Sequence, residues 1–250
     1  VLGLSPQKQR IPLMKKLGVL FGNRTELWWD HPVMQSFEWK KVVWDIDKNV
    51  YNENLEMVTE LFGLKEILRT YARELSLGQR MKADIALMLL HSPDIILLDE
   101  PTLGLDVVAK RQMIEALKRL NKEKGVTIVV TSHDMDDLEE MAQRILMISG
   151  GKLAYDGSFD NLRNVTGSLN RISITMLNGE VPSLNKATLL SSQNGVYNFE
   201  IDLNQVPVRD LLRQISELST VKDIEIKKAP IEQVITQLYS VWSKEDKGAV

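Results

Sequence analysis

Two acidic residues stand directly after a run of four apolar ones: Ile95-Ile96-Leu97-Leu98 leads into Asp99-Glu100. Carboxylates held at the end of a strand can divide labour. The first can hold a Mg²⁺ through its water, and the second can orient an attacking water. Capping of the following turn or helix is the competing use of such a pair. His133 comes 33 positions after Glu100, just past another apolar run, Val126 to Val130. Upstream, Ser76 is followed three residues later by Gln79, the pattern of a capping box at a helix start. A helix N-terminus there offers free amides and a serine hydroxyl, and Gly78 permits close backbone approach, which together suit a phosphate. A plain N-cap accounts for the same residues.

These groups meet only if particular elements bring them together. Leu17 to Phe21 reads as a short buried strand ended by Gly22-Asn23. From Pro32 to Leu90 the apolar period is helical: Val33, Phe37, Lys41 and Trp44 on one face, then Leu55, Val58, Leu61 and Phe62 with Gly63 as a stop, then Met81, Ile85, Met88 and Leu89. The continuous run Ile95 to Leu98 predicts a strand buried on both faces. A helix follows, with Met113, Ile114, Leu117 and Leu120 inward and Gly125 at its exit, and then the strand Val126 to Val130. Strand, helix, strand in this order is a βαβ unit with parallel strands and a right-handed crossover. Ligands sit beyond the carboxyl ends of such strands, so Asp99, Glu100 and His133 are expected to face one site.

A helix from Asp134 to Ala142 leads to a hairpin, Ile145 to Ser149 and Lys152 to Tyr155, across Gly150-Gly151. A smaller α+β unit is expected from about Asn164. In it Ile172, Ile174 and Met176 alternate with polar residues, with Asn178-Gly179 next, and Asn194-Gly195 marks a hairpin. A helix through Leu211, Leu212, Ile215 and Leu218, a strand Val221 to Ile226, a helix from Ile231 to Trp242 and a frayed tail complete it.

Composition narrows the function classes. Among 250 residues, 44% are hydrophobic and 26% charged, the balance of a globular chain. The longest apolar stretch, Ile85 to Leu90, falls far short of the roughly 20 residues that a membrane span needs. No apolar signal core opens the chain, and zero cysteines remove disulfides, thiolate metal sites and thiol nucleophiles. A net charge of −3, from 31 basic and 34 acidic residues, argues against a dedicated nucleic-acid binder.

Taken in order, the motifs resemble those of the nucleotide-binding subunit of ATP-binding cassette (ABC) transporters. Leu75-Ser76-Leu77-Gly78-Gln79 is similar to the family signature, commonly LSGGQ. Ile95 to Glu100 resembles Walker B, Leu103 to Asp106 the D-loop, and His133 the switch histidine. Phe21-Gly22-Asn23 sits where the family has its Q-loop, with asparagine in place of glutamine. The resemblance covers about residues 1 to 163. Phe-Gly-Asn-Arg-Thr-Glu-Leu-Trp-Trp-Asp, residues 21 to 30, is similar to the subgroup that serves multi-span permeases of the ABC-2 exporter type. No G-x-x-x-x-G-K-[ST] occurs, and residue 1 is Val. In the family that phosphate-binding loop lies upstream of the point where these residues start, so truncation of the natural N-terminus is expected.

The resemblance implies an α/β P-loop NTPase-type core, incomplete at its N-terminus (residues 1–163, helical subdomain about 24–92). A small α+β accessory domain (164–243) and a tail (244–250) complete the expected organisation. It implies ATP and Mg²⁺ as cofactors and two copies facing head to tail. Ser76, Leu77, Gly78 and Gln79 of one copy would close over the ATP of the other. Glu100 would position the hydrolytic water, His133 would hold the γ-phosphate side, Asp99 and Asn23 would attend the Mg²⁺, and Asp106 would couple the two sites. Integral membrane permease subunits are the implied partners, at the cytoplasmic face of the cell membrane, with no nucleic acid. The aromatics Trp28, Trp29, Phe37, Trp39 and Trp44 fit either subdomain packing or a docking groove for that partner. His31 and His91 have no ligand company and read as structural. A non-transport ABC ATPase, or a non-enzymatic remnant lending only its signature half-site, are the rival accounts.

Overall fold

The computed structural model describes residues 1–22, 24–165, 169–177, 181–218, 220–228, 231, 234–236 and 238. The chain forms two compact units, Val1–Met141 and Ala142–Val250.

The first unit runs α1 (Arg10–Met14), β1 (Leu17–Phe21), α2 (Val33–Val43), α3 (Lys48–Phe62), α4 (Leu77–Leu89), β2 (Ile95–Asp99), α5 (Val107–Lys124), β3 (Thr127–Thr131) and α6 (Met135–Met141). The strands make one parallel sheet in the order β1-β2-β3. Phe21 lies opposite Asp99, and Asp99 opposite Thr131, so all three strands end at the same edge. The βαβ reading of β2, α5 and β3 is thus realised.

Local chemistry sets the helix ends. Asp47 caps α3 by accepting from the Asn49 and Val50 amides, and Gly63 leaves it in the left-handed region that ordinary side chains avoid. Asp106 and Gly125 do the same for α5. The core lies between the helices and one face of the sheet: Leu20, Ile96 and Leu98 meet Met81, Ile85 and Met88 of α4 and Met113 and Leu117 of α5. Burying each such aliphatic chain contributes about 1.5–3 kcal/mol.

The expectation of strands buried on both faces is corrected. Leu97 is 37% exposed and Val129 48%, alternating with buried Ile96 and Leu98. Pleating sends successive side chains to opposite faces, and α4 and α5 pack on the face that holds Leu98. An apolar run reports that both faces are apolar, not that both are covered.

The second unit holds the hairpin β4 (Ile145–Ser149) and β5 (Lys152–Gly157), α7 (Phe159–Val165), and a four-stranded antiparallel sheet. Its strands β6 (Leu169–Met176), β7 (Ala187–Gln193), β8 (Val196–Asp202) and β9 (Val221–Lys228) lie in the order β7-β8-β6-β9. Helix α8 (Val208–Ser216) packs Leu211 and Ile215 with Ile172, Ile174, Tyr197 and Phe199. Asn194 and Gly195 both take positive φ, at 51° and 77°, as a tight two-residue hairpin requires. Asn178-Gly179, the full span of the Ile231–Trp242 helix and the 244–250 tail lie outside the described residues. Among the described residues no helix is long and apolar enough to cross a membrane.

Candidate nucleotide site at the carboxyl edge of the sheet

The parallel register brings the acid pair and the histidine together. Asp99 is exposed at the end of β2 and accepts a hydrogen bond from Thr131 Oγ1 at 2.5 Å. Glu100 follows in the left-handed region, with φ of 52°. That conformation costs an ordinary residue on the order of 1–3 kcal/mol. It is held by the Glu100 amide donating to Thr131 O at 3.0 Å and by Leu103 N–H donating to Glu100 O at 3.2 Å. Glu100 Oε2 lies 2.9 Å from His133 Nδ1, so residues 33 positions apart form one polar pair. Asp99 is a hard oxygen donor of the kind that Mg²⁺ takes beside phosphate oxygens and water. Among the described residues no cluster of three or more His, Cys, Asp or Glu could hold a metal. A single carboxylate suits an ion that arrives with a phosphate. Asn23 lies outside the described residues.

Gly22 has a role that its turn position alone does not reveal. A Cβ built there would stand 2.6 Å from the backbone oxygen of Asp99 and 3.4 Å from Glu100 Cβ. The chain leaving β1 thus passes against the acid pair with room only for hydrogen. Gly22→Ala is expected to lower stability by about 1–3 kcal/mol, the usual cost of forcing extra volume into packed backbone. It should appear as an earlier urea midpoint; an unchanged midpoint would mean that the two strand ends part freely.

The second half of the candidate site is the start of α4. Ser76 Oγ accepts from the Gln79 amide at 3.2 Å, and Gln79 Oε1 accepts from the Ser76 amide at 3.0 Å, completing the capping box. The amides of Leu77 and Gly78 are first-turn donors with no acceptor inside the helix. Leu77 also packs on the turn before α5: a Cβ on Gly104 would meet Leu77 Cδ2 at 2.9 Å. Gly78 is tight as well, its added Cβ lying 3.2 Å from Ala109 Cβ. Gly78, expected to give a phosphate close approach, therefore also serves helix packing. Asp106 spends its carboxylate on the Val108 and Ala109 amides, at 2.9 and 2.8 Å, as the cap of α5. A groove of about 510 Å³ runs between these two helix starts, with Ser76, Gly78, Asp106 and Lys82 among its walls. Burial pushes the Lys82 ammonium down, against the Asp106 charge, and Lys82 donates to Gln112 Oε1 at 2.6 Å.

Three charged groups escaped the sequence reading. Asp84 is 5% exposed in α4 and accepts from Thr25 Oγ1 at 2.9 Å and from the Glu26 amide at 3.0 Å. Burial pushes its carboxyl up to about 6, although those two hydrogen bonds pull the other way. Lys40, not Lys41, is the buried lysine of α2. It pairs with Glu26 at 2.8 Å and lies 4.6 Å from the Trp44 ring. Lys110 of α5 braces the residues after His133, meeting Asp134 at 2.7 Å and Asp137 at 3.0 Å. Its hydrogen bond holds the Asp134 carboxyl below the usual range. A signal existed for two of them: Asp84 sits among Met81, Ile85 and Met88, and Lys40 falls at i+7 from Val33, both on apolar stripes.

His91 is structural, as read: Nε2 lies 3.0 Å from Leu17 O, the ring packs on Trp44 at 4.2 Å, and burial lowers its pKa. His31 is exposed and edges onto Trp28. Phe37 is fully buried, whereas Trp28, Trp29 and Trp39 remain 38%, 47% and 43% exposed.

A protein-family profile described as an AAA domain, putative AbiEii toxin, type IV toxin–antitoxin system, matches residues 30–136. The ABC transporter ATP-binding protein NatA of Bacillus subtilis (strain 168) is 29% identical over 160 residues, 64% of this chain and 65% of NatA. The phosphonates import ATP-binding protein PhnC of Trichormus variabilis is 41% identical over 109 residues, 44% of each chain. This chain therefore spans less than two thirds of these relatives. Among solved structures, cbiO1 of Clostridium perfringens, part of the ABC transporter complex cbiONQ, matches with a TM-score of 0.54 at 23% identity. That match covers 62% of this chain and 65% of cbiO1. The ATP-binding cassette MJ0796, solved as a dimer bound to ADP and Pi, matches with a TM-score of 0.52 at 23% identity, covering 62% of this chain and 68% of that one. The chain has the fold of an ABC ATPase domain, and the relatives that it matches are ATP-binding subunits of ABC transporters.

Proposed function

We propose that this chain is the ATP-binding and ATP-hydrolysing subunit of an ABC transporter that drives export through separate membrane permease subunits. The observation that carries the reading is the Glu100–His133 pair at 2.9 Å beside Asp99, on the carboxyl edge of a parallel sheet. Glu100 orients the attacking water toward the γ-phosphorus. His133 has Nδ1 engaged by Glu100 and keeps Nε2 for the γ-phosphate side. Asp99 and Asn23 would hold a Mg²⁺ ion, which would neutralise phosphate charge. Ser76, Leu77, Gly78 and Gln79 close over ATP held by a second copy, head to tail, and Asp106 ties its turn to the partner's site.

Export, rather than import, rests on the likeness of residues 21–30 to the ABC-2 exporter subgroup. The exposed Trp28, Trp29 and Trp39 support a docking surface for the permease at the cytoplasmic face of the membrane. We assign residues 1–163 to the ATPase core, 164–243 to an accessory domain and 244–250 to a tail. That assignment counts the β4–β5 hairpin with the core by sequence, whereas the hairpin lies within the second compact unit.

The 250 residues contain no G-x-x-x-x-G-K-[ST]; on this reading the amides and lysine that cradle the β- and γ-phosphates lie in a segment outside them. Leu97 and Val129 offer such a segment an apolar face to cover. The 250-residue chain is accordingly expected to hydrolyse ATP no faster than its Glu100→Gln variant. The same chain extended by an in-frame phosphate-binding loop should turn over well above that variant. Turnover by the 250 residues alone, or none by the extended chain, would reject the proposal.

A further inference from the structure

Residues 24–33, which lead from the Asn23 position to α2, form a strap laced to the segment that ends at Ser76. Val33 N–H donates to Thr70 O at 3.1 Å, Ala72 N–H to His31 O at 3.0 Å, and Arg73 N–H to Trp29 O at 3.1 Å. Arg73 Nη1 donates to Asp30 Oδ1 at 2.7 Å, and the Arg80 guanidinium lies 5.4 Å from the Trp29 ring. The Arg73–Asp30 pair is exposed, and exposed ion pairs hold little. The strap's buried anchor is Asp84, which takes the Thr25 hydroxyl and the Glu26 amide onto α4. It lies eight residues, about 12 Å of helix, beyond Ser76.

We propose that Asp84 is a positioning residue, the pin that makes the strap and α4 move as one body, so that displacement at the Asn23 end is delivered to the Ser76–Gly78 helix end. The inference rests on the nucleotide reading above for what the motion achieves. A buried carboxylate is a costly choice for this stripe, because it is desolvated and no cation lies within ion-pair distance among the described residues. An apolar side chain would pack with Met81, Ile85 and Met88 without that cost. What the carboxylate supplies is the pair of bonds to the strap. Thr25 stands two residues from Asn23, and α4, with its closed hydrogen-bond ladder, is a stiff lever.

Two measurements test this in the complete subunit. In a Glu100→Gln background, Asp84→Ala is expected to weaken ATP-driven dimerisation about tenfold or more, the scale of losing a hydrogen bond to a charged group. ATP affinity of the monomer should stay within about twofold, an energy well under 1 kcal/mol. Asp84→Asn keeps an oxygen acceptor for both donors and should restore dimerisation. Thr25→Val should weaken it, and adding it to Asp84→Ala should do little more. Thr25→Val also carries the test if Asp84→Ala does not fold. A purely structural role instead predicts losses that track the unfolded fraction and reduce ATP binding and dimerisation alike; that result overturns the pin. The second measurement is amide hydrogen exchange without nucleotide. Exchange should quicken together in residues 25–33 and 72–80 while α5 is unchanged, and loosening confined to 25–28 overturns the proposal. If ATP fails to dimerise the Glu100→Gln parent, the nucleotide reading fails, and the exchange result still decides the pin.

Discussion

Glu100→Gln in the complete subunit is expected to bind ATP normally and to lose about 10²–10⁴-fold in turnover, the range that a general base or water-orienting group contributes. The amide keeps the shape of the side chain and leaves Asp99 with its Thr131 hydrogen bond, so the Mg²⁺-facing group is untouched. What changes is the acceptor for the attacking water and the partner of His133, 2.9 Å away. ATP should then persist, and the protein should accumulate as an ATP-bound dimer. Nucleotide affinity, single-turnover hydrolysis and size-exclusion behaviour with ATP measure the three parts separately. Wild-type turnover in this variant would remove Asp99-Glu100 from the chemistry. His133→Ala in parallel distinguishes the members of the pair: it should lower turnover without trapping the dimer as firmly, since Glu100 remains to hold the water.

Ser76→Arg should have the opposite signature: ATP still binds, but closure fails. An arginine at the start of α4 puts bulk where a phosphate must approach the Leu77 and Gly78 amides. Losing those oriented donors should reduce ATP-dependent dimerisation, and turnover with it, by about 10²-fold or more. The substitution also removes a capping box worth about 0.5–2 kcal/mol, so helix fraying needs its own control. Ser76→Asp keeps a strong cap but sets a negative charge against the phosphate; it should fold like the parent and still not close. Ser76→Thr keeps the cap without the charge and should close. If Ser76→Asp dimerises with ATP as well as the parent, the α4 start does not meet a phosphate.

How much of this was legible in the residues follows from the range of each interaction. The capping box at Ser76 and Gln79 and the Asn194-Gly195 hairpin lie within three or four residues of sequence, and each stands where local chemistry places it. The Asp106 cap of α5 is equally local but escaped the sequence reading. The meeting of Glu100 with His133 spans 33 positions, yet it too was readable, because the parallel strands of a βαβ unit end at the same edge of the sheet.

Other features are contacts between elements whose relative placement no local pattern specifies. Gly22 has to be glycine because the Asp99 carbonyl lies against it. Gly78 serves Ala109 as well as any phosphate. Asp84 and Lys40 are charges on apolar stripes, and their partners Thr25 and Glu26 lie on a separate stretch of chain that no helical period points to. Burial divides the same way. The run Ile95 to Leu98 announced a strand with two apolar faces, but only packing could reveal that Leu97 stays uncovered while Leu98 does not. Periodicity and spacing specify the elements and which of their ends can meet, since helix pitch, pleat and crossover hand are properties of the backbone. The close approaches that fix single side chains belong to the tertiary structure, because they depend on where a second element comes to rest against the first.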